Sequence, residues 1–179
     1  MKLQRILDAI ARVNATEKNL PYSLTPYKAT AITDAASMFD QHIKEILDLG
    51  GLPYSKDVLS DMGFNVRIEN LKIGCEMHDW EPNRTFDGVF CRHVLEHSPF
   101  PLYMLISIHE WLKEGGQAII VVPKAESDFV FNHPSHVSVL PKEQWLRLFG
   151  FAGFDVLVQE DGTWTKEGHV EHRFLLNKV

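Results

Sequence analysis

The sequence predicts a doubly wound α/β domain, a mostly parallel sheet covered by helices on both faces. Three observations carry that expectation. Short apolar runs alternate with stretches of helical spacing along most of the 179 residues. The links between them are short, as crossover units require. The most apolar run, QAIIVVP at 117–123, is rich in β-branched residues, the composition of a strand buried on both faces.

Taken in order, residues 3–13 carry Leu3, Ile6, Leu7, Ile10 and Val13 at helical spacing. NLPYSLTPYKAT follows, and its two prolines favour an extended loop, with a helix resuming over 31–43. EILDLGG reads as a buried strand ending in two glycines. PYSKDVLSDMG reads as a helix with proline in its first turn and Gly63 at its far cap. FNVRIEN alternates like a strand, KIGCEMHDWEPNRT reads mostly as loop, and FDGVFC is a third apolar run. From Pro99, the spacing of Leu102, Leu105, Ile106, His109 and Leu112 marks a helix closed by Lys113 and Gly115-Gly116. After QAIIVVP comes the helix PKEQWLRLFGFAG, whose Trp145, Leu146 and Phe149 form a core stripe. FDVLVQE and HRFLLNKV supply the last two strands, the final His172-Arg173 lying on an edge or antiparallel strand. One domain over 1–179 is expected, with a helical cap or lid over 1–43 and the α/β core over 44–179.

Composition narrows the function. A net charge of −6 argues against a nucleic-acid partner, which favours a basic surface. No apolar run reaches the roughly 20 residues that cross a bilayer, so no membrane role is expected. The amino terminus lacks a signal-peptide cleavage site. The only cysteines, Cys75 and Cys91, sit in apolar settings outside any CxxC pair. A reducing, cytoplasmic location without disulfides is expected, and Cys91 reads as a buried strand residue.

In doubly wound sheets ligands lie beyond the carboxyl ends of the strands. The residues there are Asp48, Gly50 and Gly51 after the first strand, and Glu69 and Asn70 after the second. Asp79 and Trp80 stand before the third, Arg92 and His93 after it, and His133 and His136 after QAIIVVP. A nicotinamide-type G-x-G-x-x-G is absent. The string His93-Val-Leu-Glu96-His97 also spells H-x-x-E-H, which carries zinc in one metalloprotease group. That geometry needs a stable helix, whereas a strand ends near Cys91 and Ser98-Pro99 stops the chain after about one turn. The expectation is a strand-to-helix loop with no metal. His133-x-x-His136 and His169-x-x-His172 lack a cysteine or carboxylate set at ligand spacing and read as pocket or surface histidines.

From about residue 45 onward the chain resembles the class I S-adenosylmethionine-dependent methyltransferases. The resemblance rests on FDGVFCRHVLEHSPFPLYMLISIHEWLKEGGQAIIVVP. The family's "FD", "LEH" and "LK-GG" stand here as Phe86-Asp87, Leu95-Glu96-His97 and Leu112-Lys113 with Gly115-Gly116, followed by "GF" at Gly153-Phe154. Where the family's glycine-rich turn falls, ILDLGGLPYS keeps Asp48, Gly50 and Gly51 but has Leu52 and Tyr54. The resemblance implies a Rossmann-like, seven-strand-type sheet with an antiparallel last strand, and S-adenosyl-L-methionine as cofactor. It places Asp48, Gly50, Gly51, Glu69 or Asn70, Asp79, Arg92 and His93 on the donor side, with Met77 or Trp80 beside the adenine. It also implies a small-molecule acceptor, entering over Tyr22, Tyr27 and the His133–His136 loop. Methyl transfer from a sulfonium is an in-line displacement governed by positioning, and a base is needed only for a protonated acceptor. His136 or His133 is the expected acceptor contact. The altered glycine turn leaves a non-catalytic ligand- or partner-binding scaffold as the alternative.

Overall fold

The computed structural model describes residues 23–69, 80–126 and 128–179, together with Arg5 and Asp8. The helix expected over 3–13, Tyr22, and the segment holding Asn70, Cys75, Met77 and Asp79 lie outside the described residues, save for those two helical positions. The elements are α1 (Pro26–Ala36), β1 (Glu45–Leu49), α2 (Pro53–Asp61), β2 (Asn65–Glu69) and β3 (Phe86–Arg92). A 3-10 turn (Leu95–His97) precedes α3 (Pro101–Trp111), β4 (Leu112–Pro123), α4 (Asp128–Phe131), α5 (Lys142–Phe151), β5 (Phe154–Thr163) and β6 (Val170–Lys178). The described strands form one six-stranded sheet in the order β2-β1-β3-β4-β6-β5. β1 pairs in parallel with β2 and β3, and β3 with β4, whereas β6 runs antiparallel between β4 and β5. This is the doubly wound, Rossmann-like sheet with an antiparallel last strand that the sequence predicts.

Alternation along the strands divides the core into two layers. Leu47, Val89, Cys91, Ile120, Val122, Phe174 and Leu176 meet Met104, Leu105 and Ile108 of α3 and Trp145 and Phe149 of α5 on one face. Ile46, Phe90, Ile119, Val121 and Leu175 meet Ile32, Ala35 and Ala36 of α1 and Leu59 of α2 on the other. Trp145 and Phe149 are thus the core stripe that the spacing indicates, with Leu146 only partly buried and packed against it.

Two expectations about elements are corrected. The helix expected over 31–43 runs over 26–36, because the second proline of NLPYSLTPYKAT opens it. Pro26 takes a first-turn position and Thr25 caps it, its hydroxyl accepting the Lys28 amide at 3.2 Å. Residues 112–116, expected to close a helix, begin β4 instead. The register slips between Phe86 and Gly88, and Gly115 takes φ 70°, so the LKEGG stretch enters the sheet as an irregular strand.

Asp87 locks the amino-terminal edge of the sheet. Its Oδ2 accepts the Lys44 and Glu45 amides at 3.2 and 2.8 Å, and its Oδ1 accepts Lys113 Nζ at 2.7 Å. The "FD" and "LK" pairs therefore fasten β1, β3 and β4 to one another at the end opposite the carboxyl edge of the parallel strands.

Candidate functional site

The strand order departs in opposite directions from β1, toward β2 on one side and β3 on the other. The crevice beyond their carboxyl ends is the topological switch point. The chain leaves β1 there through Gly50 and Gly51. Gly50 adopts φ 75° and its amide donates to the Glu69 carbonyl at 2.7 Å, tying the turn to the end of β2. A Cβ at Gly51 would overlap the Asp48 carboxylate, and one at Gly50 would overlap Val94. Ser55, in the first turn of α2, accepts the Leu52 amide at 2.9 Å and donates to Asp48 Oδ2 at 2.5 Å. Asp48 is buried, and burial raises its pKa to about 7 against the pull of the Ser55 hydrogen bond and the Arg92 charge.

Beyond β3 the chain turns at His93, a non-glycine residue at φ 55° whose amide donates to the Val121 carbonyl at 2.9 Å. Its ring is held by Glu171 of β6, with Nε2 3.0 Å from Oε2, and lies edge-on to Trp164. The same carboxylate oxygen accepts Arg92 Nη2 at 2.8 Å, while Glu171 Oε1 accepts Arg173 Nε at 2.9 Å. Burial, with the Arg92 charge added, lowers the His93 pKa to about 4, so this imidazole is neutral at pH 7 and donates to an ionised Glu171.

The next turn is strapped to the loop after β4. The Val137 and Ser138 amides both donate to the Glu96 carbonyl at 2.9 Å, and Ser138 Oγ donates to the Ser98 carbonyl at 2.6 Å. Ser135 Oγ lies 2.9 Å from His97 Nδ1 and 3.1 Å from His133 Nδ1. The His133 and His136 rings stack with centroids 4.3 Å apart, and His136 lies edge-on to His97 at 4.8 Å. Burial, then the neighbouring His136, lowers the His97 pKa to about 3, and burial raises that of Glu96 to about 8.

The structure thus gathers Asp48, Gly50, Gly51, Arg92, His93, His133 and His136 along the carboxyl edge of β1, β3 and β4. Glu69 ends β2 there, its carboxylate accepting Arg67 at 2.9 and 2.7 Å. Trp80, expected beside the cofactor, is instead edge-on to Trp111 at 5.1 Å, where α3 ends and β4 begins at the opposite end of the sheet. Asn70 and Asp79 lie outside the described residues. The sequence alone does not point to Glu171, Trp164 or Ser135, and it marks Arg173 only as a residue of the last strand. Ser135 carries a local signal, since it lies between His133 and His136. The H-x-x-E-H string occupies the expected strand-to-helix loop with a single 3-10 turn. Cys91 is fully buried, which pushes its thiol pKa well up and leaves it unreactive. His172 is buried as well, with Nδ1 2.7 Å from Asp161 Oδ1.

A switch-point crevice with an acid-and-glycine turn, on a mostly parallel sheet closed by an antiparallel last strand, defines a Rossmann-like class of protein. Within that class, a family profile described as a methyltransferase domain matches residues 27–159, and the chain belongs to that family. It is 27% identical over 131 residues to a ubiquinone biosynthesis O-methyltransferase of Pseudomonas aeruginosa, covering 70% of this chain and 53% of that protein. The chain therefore spans about half the length of the curated relatives it matches. Among solved structures it resembles the Burkholderia thailandensis 1,6-didemethyltoxoflavin-N1-methyltransferase with bound 1,6-didemethyltoxoflavin and S-adenosylhomocysteine. The TM-score is 0.69 at 16% identity, over 97% of this chain and 87% of that one. It also resembles the N-methyltransferase NodS of Bradyrhizobium japonicum in complex with S-adenosylhomocysteine, with TM-score 0.62 at 8% identity, over 97% and 98% of the two chains. At these identities the solved structures bear on the fold. Among the described residues no helix is long and apolar enough to cross a membrane.

Proposed function

We propose that this chain is an S-adenosylmethionine-dependent methyltransferase acting on a small-molecule acceptor. The observation that carries this reading is the Asp48–Gly50–Gly51 turn at the switch point, braced by Ser55 and tied to the end of β2. The family supports it, as do two fold relatives described with S-adenosylhomocysteine. The small-molecule acceptor rests on the names of the ubiquinone and toxoflavin methyltransferases.

The residues present fit the donor. A buried carboxylate beside two glycines, whose missing side chains leave the backbone open to close approach, can receive an ammonium group, and a strand-end acid such as Glu69, or Asn70, can accept ribose hydroxyls. Asp79 takes the adenine amino group in this reading, and Arg92 and His93 flank the donor. When bound, the cofactor supplies an activated methyl group on a sulfonium. The chain holds the partners in line and keeps water out. His136 or His133 contacts the acceptor.

Calorimetric titration with S-adenosylmethionine and S-adenosylhomocysteine tests the reading. Saturable binding of both is expected, and no binding by well-folded protein would leave a scaffold. Affinity should also depend on pH. With its pKa near 7, Asp48 retains a proton at pH 6, and receiving an ammonium group requires that proton to leave. Affinity for S-adenosylhomocysteine is therefore expected to rise from pH 5.5 to about 7.5 and then level off. Asp48→Asn should bind weakly and without that slope. A flat wild-type profile would remove Asp48 from ammonium recognition. Once an acceptor is known, His136→Ala and His133→Ala are expected to lower turnover while S-adenosylhomocysteine affinity is kept. Normal turnover in both would exclude the loop from the reaction.

A further inference from the structure

Glu96 is 1% exposed, and among the described residues neither of its carboxylate oxygens takes part in a hydrogen bond. An orphaned buried carboxyl group is costly and calls for an explanation. Its surroundings offer one. Glu96 Oε1 lies 3.9 Å from His97 Nε2, and one donor atom each from Glu96, His97 and His136 all fall within 4.8 Å of one another. Two ligands on a tetrahedral ion, each about 2.1 Å from it, stand roughly 3.4 Å apart. The three donors stand wider apart than that, at up to 4.8 Å, so holding an ion requires their side chains to rotate inward.

The rings are also oriented as ligands are. His136 donates from Nδ1 to the Val130 carbonyl at 2.7 Å, which fixes the tautomer carrying its lone pair on Nε2. His97 Nδ1 meets Ser135 Oγ at 2.9 Å and the Ser135 carbonyl at 3.2 Å, so its Nε2 is the nitrogen turned toward Glu96. Holding one ring nitrogen with a carbonyl or hydroxyl while the other faces the ion is the usual support of a metal-bound imidazole.

We infer that Glu96, His97 and His136 form a site for a divalent first-row transition ion of the zinc type, with one coordination position left open. Two neutral imidazoles and a carboxylate suit such ions better than magnesium or calcium, which favour all-oxygen sets. The expectation of a metal-free string rested on His93 and His97 as an i,i+4 pair, which needs a helix. The structure avoids that requirement. His93 engages Glu171, and the second imidazole comes from the loop after β4, held against the turn by the Val137 and Ser138 amides.

The test uses chelator-stripped protein without any donor, so its outcome is independent of the methyl-transfer reading. Zinc(II) binding is followed by calorimetry, and cobalt(II) by its visible ligand-field bands. One equivalent is expected, with micromolar or tighter affinity and a low-coordinate cobalt spectrum. Glu96→Gln and His136→Ala should each weaken zinc binding by more than about tenfold while circular dichroism remains that of the folded chain. His109→Ala, far from the site, should bind as the parent does. If Glu96→Gln does not fold, His136→Gln takes its place with the same expected loss. Absence of stoichiometric binding overturns the inference. So does affinity unchanged by substitutions at Glu96 and His136, or lost equally in His109→Ala.

Discussion

Replacing Glu171 by alanine is expected to lower folding stability by about 3–5 kcal/mol, the largest effect of any single side chain outside the apolar core. Glu171 is fully buried in β6 and accepts Arg92, His93 and Arg173 at 2.8, 3.0 and 2.9 Å. Its removal takes the carboxylate from Arg92, 11% exposed, and leaves Arg173, 4% exposed, with only the more distant Glu160 and Asp34 at 3.4 and 3.6 Å. The cost comes from the poorly compensated buried charges rather than from the lost volume, so Glu171→Gln should destabilise nearly as much. The pH dependence separates the two causes. Burial alone would raise the Glu171 pKa, but the His93 hydrogen bond and the Arg92 and Arg173 charges bring it from 4.5 to about 2. A depressed folded-state pKa gives stability that is complete above the unfolded value and is lost as pH falls toward the folded one. The stability gap between the parent and Glu171→Gln is therefore expected to be constant from pH 7 to about 5 and to narrow below about 4.5. Urea unfolding at a series of pH values measures it. A gap that stays constant down to pH 3 would show that the carboxylate charge is not what stabilises β6.

The same cluster marks where the sequence stops being legible. The strands of the core are read easily because β-branched runs and their flanking glycines are local signals. So is α5, which starts after Pro141 and ends before Gly153 at φ 87°. The Thr25-Pro26 helix start is also local, but a proline in a loose stretch reads as a breaker, and its fitness for a first turn depends on the capping threonine before it. Glu171 is different in kind. It lies 79 residues from Arg92, and nothing near it in the chain marks it as their partner. The two join only because β6 inserts antiparallel beside β4. The histidines are an intermediate case: both strings stand out in the sequence, yet their union depends on β3 and β4 being neighbours, which brings the turn after one against the loop after the other. Local pattern finds the groups, and topology decides which of them meet.

Gly51→Ala is expected to reduce S-adenosylhomocysteine affinity by at least tenfold, about 1.4 kcal/mol, while the fold is kept. Gly51 needs no positive φ. What it requires is space, because a Cβ there would overlap the Asp48 carboxylate. Ser55 holds Asp48 through Oδ2, the same oxygen the added methyl group would meet, so that group must either break the 2.5 Å hydrogen bond or push the turn outward. Either response displaces the acid and the backbone of the turn, while the β1 core residues Ile46, Leu47 and Leu49 stay packed. Gly150→Ala is the matched control. It lies within α5 with nothing near its built Cβ, so binding should be unchanged and stability should rise by about 0.5–1 kcal/mol. Calorimetry measures the affinities and thermal unfolding the stabilities. If Gly51→Ala binds with full affinity, the turn after β1 is not where this chain holds its donor. If it fails to fold while Gly150→Ala does not, the turn is a structural corner first, and the milder Ser55→Ala, which frees one carboxylate oxygen without adding volume, becomes the variant that must lose affinity.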